Sequence, residues 1–242
     1  MRPNFQQQAA WIASFTERYI LSILFLAFAW LEVTQAVLSW RIMHYGGDQA
    51  NLAYFIQHTI MVLVNVSIGA TLLFGQQINA APQSLEEILV PLGATFFYLV
   101  YSCIDSLPDW LSDNLAPPNW QTPIAWLGLA IGIFGRIIVA WGAFYLGRSF
   151  GIFVSVRDVV LRGPYRYVRH PIYLGYLLMF GGLTLAYCCA ALFIIVPAHF
   201  GLFAWRVRLE ESRLAESSPA YREYIKHTGS IFPRLSTWKN SP

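Results

Sequence analysis

The stretch LRGPYRYVRHPIYLG, residues 161–175, concentrates the residues of this chain that are best suited to binding an anionic group. Pro171 predicts the first residue of the apolar helix that follows, because proline lacks only a backbone N–H that is unpaired there anyway. Free backbone N–H groups at a helix N-terminus attract anions, and His170 and three arginines lie beside this one. An equal alternative is that these arginines only hold a membrane helix at the bilayer surface. The three arginines are Arg162, Arg166 and Arg169.

A second polar segment follows the apolar residues 172–205. Arg206 and Glu210 are four positions apart, so they lie on one face of a helix that continues out of the membrane. Glu211 adds a second carboxylate, which on its own is typical of a solvated helix face. Ser218 stands before a proline and predicts the N-cap of one more short helix.

The sequence GPYRYVRHPIYLG at 163–175, with the double glutamate, Tyr221, Tyr224 and Pro233 after an apolar hairpin, closely resembles the isoprenylcysteine carboxyl methyltransferase family. It is also similar to the related membrane phospholipid methyltransferases. The resemblance spans residues 145–235, and the N-terminal residues match no motif. We therefore treat 1–122 as N-terminal transmembrane helices and 123–242 as the methyltransferase half of one integrated membrane unit.

This resemblance implies an enzyme that uses S-adenosyl-L-methionine. It assigns catalytic roles to Arg206, as the partner of an anionic acceptor, and to Glu210. Arg169 and the backbone near His170 are expected to meet the carboxylate of the cofactor, and Glu210 or Glu211 its amine or ribose hydroxyls. The cofactor-binding residues that the resemblance implies are Tyr165, Val168, Arg169, His170, Pro171, Tyr173, Leu174, Gly175, Glu210 and Glu211, with Tyr165, Tyr173 and Leu174 around the adenine.

The acceptor stays open at this stage. A prenylcysteine carboxylate, a lipid head group and a small thiol all fit a lipophilic or membrane-embedded substrate, and nothing indicates a nucleic-acid partner. A carboxylate or thiolate needs no general base, whereas a protonated amine must first lose a proton. The chief alternative is an NADPH-dependent sterol-type reductase, although those enzymes favour asparagine where this chain has Ile172 and lack the paired glutamates. A membrane scaffold without catalysis is the third alternative.

The composition defines the class of protein. Of 242 residues, 56% are hydrophobic and 12% are charged, far below the roughly 25% charged residues of soluble domains. We expect an all-α, polytopic transmembrane bundle of about five to six spans, at about 20 apolar residues for each span. A tight turn at 187–189 divides the last apolar segment into a helical hairpin. The three cysteines lie in apolar segments without a Cys-x-x-Cys pattern, so neither a disulfide nor a metal site is predicted. The predicted spans are 19–40, 54–75, 88–104, 123–146, 172–187 and 189–205.

The basic residues predict the orientation. Five of the 16 lysines and arginines lie at 148–169 and seven lie after 205. Because basic loops stay on the cytoplasmic side, the motif-bearing loops and the C-terminus, and with them the cofactor pocket, are predicted to be cytoplasmic. The loop at 105–122 has three aspartates and no lysine or arginine, which fits the opposite side.

Two charged residues, Glu32 and Arg136, fall inside apolar spans. We expect them to neutralise each other between packed helices, with a functional role as the alternative. The single polar residues His58, Asn65 and His199 are predicted to form hydrogen bonds between helices. Small residues at Gly128, Gly132 and Gly135 predict close helix packing.

Overall fold

The computed structural model describes residues 5–45, 49–75, 78, 82–155 and 159–234. Within these ranges the protein is a helical bundle without β-strands, which confirms the predicted all-α class. In chain order the helices are α1 (Phe5–Phe15), α2 (Ser22–His44), α3 (Gln49–Leu73), α4 (Glu86–Phe96), α5 (Asp109–Ser112), α6 (Pro118–Leu146), α7 (Pro171–Tyr187), α8 (Ala190–Ser217) and α9 (Pro219–His227).

Four helices of the described part are long and apolar enough to cross a bilayer, which indicates an integral membrane protein. The apolar helix α7 is shorter, at 17 residues. Large apolar side chains such as Trp30, Leu63 and Phe134 are exposed on α2, α3 and α6, as expected for surfaces that face lipid. The four long segments are Gln7–His44, Phe55–Leu73, Pro118–Leu146 and Ala190–Ser217.

The predicted span 88–104 is not one regular helix. Its first part is α4, and its second part is a 3₁₀ segment, Phe97–Ser106. Pro91 lies inside α4 and removes a backbone donor, and the aromatic residues that follow have modest helix propensity. The tighter 3₁₀ winding directs Tyr98 and Tyr101 towards the interior of the bundle.

The hairpin of α7 and α8 forms at the predicted place. Helix α7 ends at Tyr187, Cys188 takes a left-handed conformation with φ of 44°, and α8 begins at Ala190. The Cys188 N–H donates to the Thr184 carbonyl over 2.8 Å, which closes the last turn of α7.

Helices α6 and α7 pack with their backbones in contact. A Cβ atom placed on Gly128 would lie 2.4 Å from the carbonyl oxygen of Gly182, and one on Gly135 would lie 2.6 Å from that of Gly175. No side chain fits at such distances, so the predicted close packing through glycines is confirmed. Helices α2 and α3 form the other tightly packed pair.

Candidate active site

A cavity of about 480 Å³ lies between these two helix pairs and α8. Its volume falls within the range of roughly 300–1,000 Å³ that is usual for small-molecule sites. The outer part is lined by residues of the 161–175 stretch, α8 and α9, and the inner part by residues of α2, α3, α6 and the 3₁₀ segment. The two polar segments singled out in the sequence therefore meet at one cavity.

Six residues of the site that the sequence predicted line this cavity, and five do not. His170 and Glu210 are both in the lining, with 3.7 Å between His170 Nδ1 and Glu210 Oε2. The lining group is Tyr165, Arg169, His170, Tyr173, Arg206 and Glu210, and the group outside the lining is Val168, Pro171, Leu174, Gly175 and Glu211.

Arg206 and Glu210 form the predicted pair on one face of α8. The Arg206 Nε donates to Glu210 Oε1 over 2.8 Å, and the Tyr173 hydroxyl donates to the same oxygen over 2.8 Å. The rest of the guanidinium is also bound, to Thr95 Oγ1 at 3.0 Å and to the Ile152 carbonyl at 2.9 Å. Every nitrogen of Arg206 thus has a partner within the protein.

Glu211 holds the loop after α9 against the start of α7. Its carboxylate accepts hydrogen bonds from Arg169 Nε at 2.9 Å and Arg169 Nη2 at 3.1 Å, and from Ser230 Oγ at 2.8 Å. His170 Nε2 lies 3.0 Å from the same carboxylate. Arg169 also donates to the carbonyl of Thr228, so its guanidinium is occupied. Arg169 and Glu211 therefore shape the site through each other in this structure, instead of presenting free charges to a ligand.

The helix N-terminus at Pro171 has little free binding capacity for an anion. The backbone N–H groups of Arg169 and His170 donate to Gly229 and Ser230 carbonyls, both over 2.9 Å. Arg162 and Arg166 are exposed and do not line the cavity. Of the three arginines in the 161–175 stretch, Arg169 is therefore the one that lines the cavity, because the short 3₁₀ turn at Gly163–Arg166 leaves the other two on the outside.

Tyrosines form one wall of the outer part of the cavity. Burial raises the pKa of the Tyr165 and Tyr221 phenols, and it raises the pKa of Tyr224 to about 12. These phenols are therefore neutral near pH 7, and the Tyr224 hydroxyl donates to the Tyr165 carbonyl. The Ser218 N-cap accepts from the Tyr221 N–H at 3.2 Å, as predicted, and so fixes the α9 turn that carries Tyr221 and Tyr224.

The segment 149–155 is a part of the site that the sequence did not predict. Ser149, Phe150, Gly151 and Ile152 line the cavity. Buried Glu17 anchors this segment, because its Oε1 accepts from the Ile152 N–H at 2.8 Å and the Phe153 N–H at 2.6 Å. Glu17 sits on a π-helical turn, Thr16–Leu21, just before the predicted span 19–40, so the sequence analysis did not single it out.

The inner part of the cavity holds polar groups from three helices and the 3₁₀ segment. His58 Nδ1 lies 2.6 Å from Glu32 Oε2, so His58 is the direct partner of Glu32, and the expected neutralisation by Arg136 is only a longer-range attraction between the two charges. The predicted hydrogen bonding between helices is confirmed for His58 and for His199, whose Nε2 lies 2.8 Å from the Ala94 carbonyl. Arg136 remains buried in the cavity wall. The described residues include no group of three His, Cys, Asp or Glu that would suit a metal ion.

Comparison with known proteins shows which family residues 123–218 resemble. Residues 123–218 match the phospholipid methyltransferase family, so the resemblance to membrane methyltransferases is confirmed over this segment. The same segment contains most of α6, all of α7 and α8, and the 161–175 stretch, so it carries much of the cavity lining.

Three curated relatives are similar to parts of the chain. The cobalt-zinc-cadmium resistance protein CzcN of Cupriavidus metallidurans is 31% identical over 50% of this chain and 55% of its own length. The nickel-cobalt-cadmium resistance protein NccN of Alcaligenes xylosoxydans xylosoxydans is 29% identical, over 48% and 52%. Methanethiol S-methyltransferase 2 of Bradyrhizobium diazoefficiens is 27% identical, over 57% and 59%. The chain thus spans little more than half the length of the curated relatives that it matches.

Proposed function

We propose that this protein is an integral membrane methyltransferase that uses S-adenosyl-L-methionine and acts on a lipophilic or membrane-embedded acceptor. The observation that carries the proposal is a half-buried carboxylate, Glu210, in a tyrosine-lined cavity within the segment that matches the methyltransferase family. The match to a methanethiol S-methyltransferase supports the same class of reaction.

The residues of the outer cavity suit the chemical groups of this cofactor. Among the described residues, Glu210 Oε2 accepts no hydrogen bond, whereas Oε1 accepts from Tyr173 and Arg206. An amine or a ribose hydroxyl is a fitting donor to Oε2, and a carboxylate also favours a sulfonium cation nearby. Tyr165 and Tyr221 offer flat apolar faces for an adenine ring.

Bound S-adenosylmethionine supplies an electrophilic methyl group on its sulfonium centre. The residues of this chain have to align the acceptor with that group and keep water out. Arg206 contributes by fixing Glu210 and Tyr173, since its guanidinium is fully engaged with protein groups. Arg169 and Glu211 act as positioning residues that join the start of α7 to the loop after α9. Arg206 was first expected to bind an anionic acceptor, and Arg169 the carboxylate of the cofactor. We propose instead that both arginines position other residues of the site.

The inner cavity favours an acceptor with an apolar body. Phe25, Met61, Ile68 and Leu183 line it together with other apolar side chains from membrane helices. Because the basic loops flank the outer part, we place that part on the cytoplasmic side. The acceptor then reaches the site from the bilayer and the cofactor from the cytoplasm.

The direct test is titration of the purified full chain, in lipid nanodiscs, with S-adenosylhomocysteine and with NADPH. We expect S-adenosylhomocysteine to bind, and Glu210→Gln to weaken that binding by about 10-fold or more, because a charge-assisted hydrogen bond is lost. Glu223→Gln is the matched control, since Glu223 is exposed on α9 and its ion pairs among the described residues are with Lys226 and His227. Binding of NADPH without S-adenosylhomocysteine would refute the proposal and favour a reductase.

A further inference from the structure

Two buried polar atoms that line the cavity have no hydrogen-bond partner among the described residues: Tyr98 Oη and Arg136 Nε. Arg136 is only 6% exposed and forms no ion pair with any described carboxylate. A buried charge without a direct ion-pair or hydrogen-bond partner is costly in a low-dielectric interior. A cavity wall that retains such groups is suited to a ligand that completes their bonding.

The chemistry of these two groups defines the partner that they lack. Guanidinium N–H groups only donate, and the Tyr98 hydroxyl has a hydrogen to donate. Both therefore suit an anionic or strongly accepting atom, and neither suits an ammonium group. Glu32 lies within electrostatic range of both Arg136 and Tyr98, and it is held by His58 at 2.6 Å.

The cluster lies close to the cofactor end of the cavity. Gly132, one turn before Arg136, and Gly135, directly before it, pack on α7 at the level of Gly175 and Met179. These α7 residues are four and eight positions beyond Pro171, which corresponds to a rise of about 6–12 Å from the motif. An acceptor atom held at Arg136 is thus within one or two helical turns of the residues proposed to bind the cofactor.

The other arginines of the cavity cannot take this role. Arg206 is bound by Glu210, Thr95 and the Ile152 carbonyl. Arg169 is bound by Glu211 and the Thr228 carbonyl. Among the arginines described in the lining, Arg136 is the one whose guanidinium is not engaged by the protein.

We propose that Glu32, His58, Tyr98 and Arg136 form the subsite for the reacting group of the acceptor, and that this group is a weakly acidic thiol or phenol on an apolar body. The Glu32–His58 pair takes its proton, and Arg136 and Tyr98 hold the resulting anion. This inference rests on the proposed methyltransferase function and names the acceptor class for it.

The S–H or O–H bond breaks and its proton passes to the Glu32–His58 pair, which leaves the electron pair on sulfur or oxygen. That electron pair forms the new bond to the methyl carbon while the carbon–sulfur bond of the sulfonium breaks and its electrons remain on the departing thioether. The proton is later released to water. Thiolates are the reactive form of thiols, so a neighbouring base and a cation both favour this chemistry.

The first experiment uses methyl-labelled S-adenosylmethionine and four probes of similar size: 1-hexanethiol, 4-butylphenol, hexanoate and hexylamine. The full chain in nanodiscs is expected to label the thiol or the phenol and to leave hexylamine unlabelled. Preferential labelling of hexanoate or hexylamine would overturn the inference. So would the absence of label on both the thiol and the phenol while S-adenosylhomocysteine still binds.

The second experiment changes the cluster. Arg136→Gln is expected to raise the KM of the labelled probe about 10- to 100-fold, the loss typical of a hydrogen bond to a charged group, with unchanged affinity for S-adenosylhomocysteine. Arg136→Lys keeps the charge and should restore part of the loss. Arg41→Gln removes a similar charge from an exposed position on α2, and its KM should match that of the wild type.

A pH profile separates proton removal from simple packing. The titratable or charged groups that face Glu32 are His58 from α3, Tyr98 from the 3₁₀ segment and Arg136 from α6. Glu32→Gln should lower kcat/KM for hexanethiol at least about 10-fold at pH 7, and the deficit should shrink as the pH rises towards the pKa of the alkanethiol itself, because more of the substrate is then already a thiolate.

An unchanged KM in Arg136→Gln, or an unchanged pH profile in Glu32→Gln, would overturn the inference and leave the methyltransferase proposal intact. If Arg136→Gln does not fold, the Glu32→Gln profile and the probe preference of the wild type still decide the question. Failure of the wild type to bind S-adenosylhomocysteine would refute the methyltransferase proposal itself.

Discussion

The outer and inner parts of the cavity use charged residues in opposite ways. At the outer part Arg169, Arg206 and Glu211 are each bound by several protein groups, and together they fasten α7, α8 and the loop after α9. At the inner part Arg136 and Tyr98 line the same cavity with atoms that lack partners. Arg169 and Arg206 therefore help to build the site, whereas Arg136, outside the sequence motif, is the arginine of the described lining that has a buried nitrogen without a hydrogen-bond partner.

The physical reason lies in the cost of each arrangement. A fully bonded ion-pair network can be buried because its mutual attraction and hydrogen bonds offset desolvation. An unpartnered guanidinium has no such compensation until something binds. Stability and binding capacity should thus be separable by mutation at the two ends of the cavity.

The largest effect is expected from breaking the outer network. Glu211→Ala leaves Arg169 buried without its carboxylate and should lower the free energy of unfolding by about 3–5 kcal/mol. Chemical or thermal unfolding in detergent micelles measures this loss. Glu216→Ala, at an exposed position of the same helix, is the control. A loss as small as that of the control would contradict the view that the network holds the fold together.

An intermediate effect is expected at the anchor of the segment 149–155. Glu17→Gln weakens two charge-assisted hydrogen bonds to the backbone N–H groups of Ile152 and Phe153, which should cost about 1–3 kcal/mol. Hydrogen exchange at these two amides should accelerate accordingly. Unchanged exchange would show that the segment is held by its other contacts.

The smallest effect is expected in the inner cluster. Arg136→Met in the ligand-free protein should leave the free energy of unfolding within about 1 kcal/mol or raise it, because the change removes a desolvated charge that has no partner. The same unfolding assay measures it. A loss as large as that of Glu211→Ala would show that Arg136 is a structural residue, and the contrast between the two ends would disappear.

Local sequence signals predicted much of the fold and part of the candidate site. Pro171 begins α7, the chain turns at Cys188, and Arg206 pairs with Glu210, as their spacing indicated. These features depend on neighbours within a few residues, so short-range rules suffice. The shared cavity of His170 and Glu210 followed from the hairpin that brings their two segments together.

Features that depend on how distant helices are rotated were beyond such rules. Glu32 and Arg136 have complementary charges, yet the packing of α2 against α3 places the Glu32 carboxylate in direct contact with His58. The bond from Glu17 to the Ile152 N–H joins residues 135 positions apart, and no local pattern announces it. For Glu32 and Arg136 the sequence indicated that a partner was needed. Which partner each residue received was decided by the packing of the helices.

The backbone contact between α6 and α7 has a mechanical consequence. At the glycines no side chains separate the two helices, so their backbones touch directly. The helices cannot slide or separate without losing this contact along its whole length. Helix α6, which carries Arg136, and the start of α7 beside His170 consequently form one rigid unit. We therefore expect an apolar acceptor to enter from the lipid on the opposite side, where the α2–α3 pair packs on α6.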